Sequence, residues 1–209
     1  MSHGVHAAQH EAEHHMEHEH EHGDDKPIIE GRNKKIALLI AVIALFLAFS
    51  ETLGKSAQTA AISSNVEASN LWAFFQAKTI RRTLVETAGQ AMTLEANAAP
   101  NEAIKVAMTK QIDFWQKIAA RYRSEPETRE GSVELMERAK EAEHKRDTAM
   151  AKYHHYEVAS AAFQIGIVLA SASVITGMIV LSWLAGGLAV VGLGFMAIAL
   201  FAPHAVHLF

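Results

Sequence analysis

Histidine is the residue with the most regular spacing among those in this sequence that can do chemistry. Five histidines of the N-terminal tail recur at every fourth position: His6, His10, His14, His18 and His22. In a helix these residues would share one face, and imidazoles one turn apart can ligate zinc, nickel or copper. We interpret them as a candidate metal site. The alternative is a disordered low-complexity tail over residues 1–35, which binds metal only weakly.

A second candidate lies at the ends of two apolar segments. Glu51 follows the first of them, and His154, His155 and Glu157 precede the second. The chain should bring these four residues to one membrane face, where they could bind a cation or titrate near neutral pH. Ion pairing with neighbouring lysines explains them equally well.

A third candidate is the pair Glu141 and His144. Its Glu-x-x-His spacing is used by di-iron helical bundles, but those sites need a second copy and two more glutamates. A solvated, charged helix face is the better interpretation, because the surrounding segment reads EAEHKRD.

Enzymatic and nucleic-acid functions find no support in the composition. The chain has no cysteine, so disulfides, thiolate metal sites and cysteine nucleophiles are excluded. No phosphate loop or nucleophile triad is recognisable, and we expect a protein that is not an enzyme. With 19 basic and 23 acidic residues, there is also no basic cluster of the kind that binds nucleic acid.

Three apolar segments must position these residues. Residues 158–201 contain no Asp, Glu, Lys, Arg or His, and about 20 apolar residues cross a bilayer. We therefore predict two transmembrane helices, 158–181 and 184–201, with the turn within residues 182–187. Residues 36–53 form a third, retained as an anchor rather than cleaved as a signal sequence.

The positive-inside rule gives a topology for these segments. Arg32, Lys34 and Lys35 precede the first segment, whereas the later turn and the C-terminal tail, 202–209, carry no lysine or arginine. This places the N-terminus in the cytoplasm and residues 54–157 outside it, in the periplasm of a Gram-negative cell.

The region between the first two spans is predicted to be helical. The first helix covers residues 55–97, the second follows Pro100 with Asn101 as its cap, and the third begins near Ser132 and runs on into the second span. Each should pack through an apolar stripe. The expected stripes are Ile62, Val66, Ala73, Ala77, Ile80, Leu84, Ala88 and Ala91; then Ile104, Met108, Ile112, Trp115, Ala119 and Tyr122; then Val133, Met136, Met150 and Tyr153.

Small residues follow one face of the second span: Ala162, Gly166, Ala170, Ser173 and Gly177. Such stripes let helices approach closely in lipid, so this face should pack within the chain or between copies. Gln164 is the strongly polar residue in that segment and is expected to hydrogen-bond across helices.

Two segments, 50–81 and 141–176, resemble a bacterial membrane-protein family of unknown function, the domain-of-unknown-function family numbered four-three-three-seven. The similar motifs are Ser50-Glu51, Asn70-x-Trp72 with Gln76-x-Lys78, Tyr156-Glu157, Gln164-Ile165 and Ala170-Ser171. The resemblance implies three spans with an intervening helical region. It implies no activity and no catalytic residues.

Together these patterns predict an all-α membrane protein. It has three transmembrane helices, with a helical hairpin or coiled-coil region between the first and second. The expected function is a non-enzymatic scaffold or interaction protein of the inner membrane; a component of a transport or channel assembly formed by oligomerisation is the alternative. The expected partners are the lipid bilayer, further copies of the chain and an unknown protein. The expected cofactor is at most a divalent metal on the tail.

Overall fold

The computed structural model describes residues 25–206, which form four α-helices and no β-strand. Their bounds are α1 Asp25–Ala98, α2 Glu102–Arg123, α3 Ser132–Thr176 and α4 Ile179–Phe201. By length and composition, α1, α3 and α4 can each cross a membrane. The all-helical class and the three long apolar segments are therefore confirmed.

The described residues divide into two compact units. We call residues 25–53 and 155–202 the apolar unit, and residues 54–154 and 203–206 the charged unit. The boundaries fall inside helices, because α1 and α3 each contribute to both units. The prediction that the third helix continues into the second apolar segment is confirmed.

The predicted cap and break of the charged unit are confirmed. Asn101 caps α2, and its side-chain oxygen accepts a hydrogen bond of 2.8 Å from the backbone N–H of Ala103. The turn between α2 and α3 is closed by Glu134, whose carboxylate accepts from the hydroxyl of Ser124 and, at 3.3 Å, from the backbone N–H of Glu125. The bond from Ser124 holds the pKa of Glu134 below its usual range. Glycine is required at position 131, because a Cβ there would lie 2.6 Å from the backbone N of Glu125.

Small residues bring α1 and α3 together in the charged unit. The buried cluster between them consists of Ala68, Leu71, Leu135, Ala139 and Ala142. Trp72 packs against this cluster and donates a hydrogen bond of 2.9 Å from Nε1 to Glu143 Oε1. Three alanines in five core positions allow a close approach of the two backbones.

The predicted stripe of α2 is confirmed in its main part, since Ile112 and Ala119 are buried. Ile104, at its start, is 47% exposed. The predicted stripe of α3 is wrong at two positions, because Val133 and Met150 are exposed. The face with Leu135, Ala139 and Ala142 packs instead, against Ala68 and Leu71 of α1.

The apolar unit is also packed through small residues. Of the predicted small-residue stripe, Ala162, Gly166, Ala170 and Ser173 are buried. Their neighbours belong to the same chain: the position of a Cβ at Gly166 would be 3.4 Å from the carbonyl oxygen of Ala185 and 3.7 Å from Ile43. The stripe is thus a packing face within one copy.

The predicted turn at residues 182–187 is wrong, and so are the inner ends of the spans 158–181 and 184–201. The helix break lies at residues 177–178, where Gly177 has a φ of 70° that glycine adopts without strain. Ser182 is inside α4, and its hydroxyl lies 2.7 Å from that of Ser173. The Ser182 hydroxyl has a hydrogen-bond partner in Ser173 of α3 while its own backbone stays helical. A serine at this position therefore does not require a turn.

The tail assigned to residues 1–35 is shorter than predicted. Residues 25–35 belong to α1 and are helical. Pro27 is compatible with this extension, because proline is tolerated in the first turn of a helix.

Candidate interaction surface

The buried side of α1 follows a seven-residue repeat. The repeat consists of Ile36, Ile43, Ser50, Ala57, Leu71 and Lys78, all less than a tenth exposed, with a partly exposed Ser64 between Ala57 and Leu71. Residues seven apart lie on nearly the same side of a helix, because seven residues make almost two turns. One side of α1 is therefore the inner side along most of its length.

A second apolar stripe lies on the opposite side of α1, and we call it the outer stripe. It consists of two rows with seven-residue spacing: Val66, Ala73, Ile80, Thr87 and Leu94, and Asn70, Ala77, Leu84 and Ala91. Its large residues face solvent: Ile80 and Leu84 are each 68% exposed and Leu94 is 74% exposed.

Within one copy, α1 does not pack through the apolar stripe that the sequence predicts. The residues of the predicted stripe largely coincide with the outer stripe. Ile62 and Val66, at the start of the predicted stripe, are 60% and 53% exposed. Both sides of α1 carry apolar residues at helical spacing, so periodicity alone cannot select between them. The alanines of α3 select the side with Ala68 and Leu71.

Lys78 lies on the inner side and is a buried charge, which the sequence analysis named only as part of a motif that resembles the family. Its ammonium lies over the rings of Phe74 and Tyr122, 5.4 and 5.6 Å from their centroids. The carboxylates of Glu125 and Glu130 lie 4.0 and 3.9 Å from it. A buried charge needs such partners, so Lys78 ties α1 to the turn that follows α2. The signal in the sequence was a lysine in phase with a repeat of apolar residues.

The titratable residues at the ends of the apolar segments form structural contacts. Glu51 Oε1 accepts a hydrogen bond of 3.4 Å from Gln164 Nε2, which confirms that Gln164 bonds across helices. The hydroxyl of Ser50 donates to the carbonyl of Tyr156 at 2.9 Å. His155 is buried and stacks on Phe195, with 6.1 Å between the ring centroids.

The Glu-x-x-His pair lies on a solvated face, as expected. Glu141 accepts from Lys145 at 2.9 Å, and this bond lowers the pKa of Glu141. His144 stacks on His204, whose Nε2 lies 3.1 Å from the hydroxyl of Thr148. Among the side chains that the structure describes, no three of His, Cys, Asp or Glu are grouped as metal ligands.

The charged unit also contains an open cleft of about 380 Å³ between α1 and α2. Gly89 and Ala119 line it with little or no side chain, whereas Trp115, Glu86 and Arg123 contribute large side chains. The Glu86 carboxylate also pairs with Arg82 at 3.7 Å.

The tail histidines at positions 6, 10, 14, 18 and 22 lie outside the described residues, so metal binding there stays a prediction. We expect the full chain in detergent to bind Zn²⁺ or Ni²⁺ at micromolar concentration, and to release it as the imidazoles protonate below about pH 6.5. Replacing His10, His14 and His18 with glutamine should weaken binding, measured by calorimetry, at least tenfold. The control triple variant is His3, His15 and His20 to glutamine. Equal losses in both variants would show ordinary polyhistidine behaviour.

The comparisons with known proteins give a family and no activity. No curated protein and no solved structure matches this chain. A family model, described as a domain of unknown function (DUF4337), matches residues 32–202. This range holds nearly all of α1, all of α2, α3 and α4, and the whole outer stripe. The chain therefore belongs to the DUF4337 family.

Proposed function

We propose that this protein is a non-enzymatic membrane scaffold that presents an interaction surface outside the cytoplasm. The observation that carries the proposal is the outer stripe of α1. Four of its side chains, Val66, Ile80, Leu84 and Leu94, are large, aliphatic and more than half exposed in one copy. Burying each fully would contribute about 1.5–3 kcal/mol, which is the size of effect that binding partners use.

The distribution of side chains in the apolar unit supports a membrane location. Large apolar residues face outward on all three of its helices, among them Leu45, Val168 and Val190 at 55–69% exposure. Many of the packed positions are small, as at Ala170 and Ala185, which are fully buried. Lipid favours this arrangement, because tails solvate leucine and valine while close backbone contact holds the helices together.

The charges that flank α1 support the proposed topology. Arg32, Lys34 and Lys35 precede the apolar segment, which favours a cytoplasmic N-terminus. The charged unit would then lie outside the cytoplasm. The C-terminal segment belongs on the same side, since His204 lies against Thr148 of the charged unit.

The scaffold function is tested by substituting acidic residues into the outer stripe. We expect wild-type protein in native membranes to be captured by a lysine-reactive cross-linker in a complex larger than one copy. The double variant Ile80→Glu and Leu84→Glu should lose at least nine-tenths of that complex, because buried carboxylates at a contact are strongly disfavoured.

Two controls make this result specific. Val106→Glu changes an apolar residue of α2 that is 47% exposed and outside the stripe, and it should keep the complex. Ser56→Cys should react with an impermeant maleimide in intact spheroplasts, since Ser56 is exposed at the start of the charged unit. A chain that stays single in every variant, wild type included, would contradict a scaffold function.

A further inference from the structure

We propose that the outer stripe of α1 is the seam of a parallel dimer formed by two copies of this chain, with Asn70 of each copy facing Asn70 of the other. The proposal rests on the scaffold function above and names the chain that occupies the stripe. Three features of the stripe select this occupant: its spacing, its single asparagine and the charges along its edges.

The spacing fits another long helix. From Val66 to Leu94 the two rows alternate at intervals of three and four residues, which is the repeat through which two helices pack over many turns. At about 1.5 Å per residue this stretch is about 42 Å long. A second copy supplies a stripe of the same length and the same repeat.

Asn70 marks the register. It is exposed and begins the row that continues with Ala77, Leu84 and Ala91. One asparagine among apolar residues in such a row costs stability unless an amide on the partner helix hydrogen-bonds to it, and this requirement fixes alignment and the number of helices. Between two copies the requirement is met only when both are parallel and in the same register.

The edges of the stripe favour the same orientation. One edge, Ser69, Gln76, Thr83 and Gln90, is uncharged, whereas the other edge carries Glu67, Arg81 and Glu95. In a parallel pair the uncharged edge of each copy meets the charged edge of its partner, so no like charges are brought together. An antiparallel pair places the two charged edges side by side.

Membrane insertion also favours a parallel pair in the same register. Copies that insert with the same topology all leave the membrane at the same point of the sequence, near the start of the charged unit at Gly54, twelve residues before the seam begins at Val66. Confinement to two dimensions raises the local concentration of the partner stripe, and neither copy must reorient to meet it.

Single cysteines test the seam directly, because the natural chain has none. Val66→Cys and Leu94→Cys stand at opposite ends of the stripe. In a parallel pair each lies beside its own counterpart, so mild oxidation of membranes should convert more than half of each variant to a disulfide dimer. Val106→Cys, on an exposed apolar position of α2, is the matched control and should give less than a tenth of that yield.

The other outcomes each overturn the proposal. Dimers formed only when Val66→Cys and Leu94→Cys are mixed would show an antiparallel pair. Equal yields at Val66, Leu94 and Val106 would show random collision. No dimer from either end, together with a larger complex that the Ile80→Glu and Leu84→Glu variant abolishes, would mean that another protein occupies the stripe; the scaffold function would stand and the self-pairing would fall.

The asparagine has its own test. Asn70→Leu should leave the helices intact, since the side chain is exposed in one copy. Without the paired amides, the seam should no longer specify two helices, so mass measurements of the detergent-solubilised protein should show trimers or tetramers beside the dimer. Gln76→Leu, on the uncharged edge, should keep the dimer alone. An unchanged distribution for Asn70→Leu would remove Asn70 from the seam and overturn the register.

Discussion

Replacing Gly192 with leucine is expected to separate α4 from α3 and to destabilise the apolar unit more than any other single change of a small residue there. A Cβ at position 192 would lie 2.6 Å from the ring of Phe163, closer than any real Cβ contact. That ring cannot move aside easily, because Phe163 is fully buried and stacks on Phe46 with 6.2 Å between centroids. Overpacking of this kind typically costs about 1–3 kcal/mol, and sometimes more.

The measurement is thermal unfolding of the purified protein in mild detergent, with Gly194→Leu as the control. Gly194 lies on the same helix, but no atom lies within 4 Å of the position that its Cβ would take. We expect a lower Tm for Gly192→Leu and a wild-type Tm for Gly194→Leu. Similar effects of both substitutions would show that the contact between α3 and α4 does not depend on this glycine.

A second glycine should give an intermediate result in the same assay. At Gly166 the nearest atom to an added Cβ is the carbonyl oxygen of Ala185, at 3.4 Å. The Cβ itself fits, whereas the branched end of leucine does not. Val168→Leu, at a position 65% exposed, should be nearly silent. The decrease in Tm is therefore expected to be largest for Gly192→Leu, smaller for Gly166→Leu and smallest for Val168→Leu.

Replacing Leu135 with alanine is expected to lower the free energy of unfolding of the charged unit by about 2–5 kcal/mol, the usual cost of such a truncation in a core. Leu135 is fully buried against Ala68 and Leu71. The surrounding alanines are already small and cannot fill the cavity that the substitution leaves. The effect is measured by chemical denaturation, followed by the fluorescence of Trp72 at the same contact.

Val133→Ala provides the matched control for this substitution. Val133 lies two residues away on α3 and was predicted from the sequence to face the core, but it is 46% exposed. Its truncation should change the free energy of unfolding by no more than about 0.5 kcal/mol. A larger loss for Val133 than for Leu135 would reverse the assignment of the packed face of α3.

The sequence by itself determined where helices begin and end in the charged unit. Asn101 caps α2 through a bond to the N–H two residues later, and the break before Ser132 follows from residues within one turn of it. The apolar length of three segments also follows from composition. These signals are local, because capping and breaking involve neighbours in the chain, and they can be read without knowing what packs against what.

Only the tertiary structure decided which side of α1 is inside. Ile80 and Ala68 both lie on apolar rows, yet Ile80 faces solvent and Ala68 is buried against α3. The choice depends on a partner helix more than sixty residues later in the sequence, whose Leu135, Ala139 and Ala142 pack against Ala68 and Leu71. Periodicity shows that a helix has an apolar face, and the partner determines which face is buried.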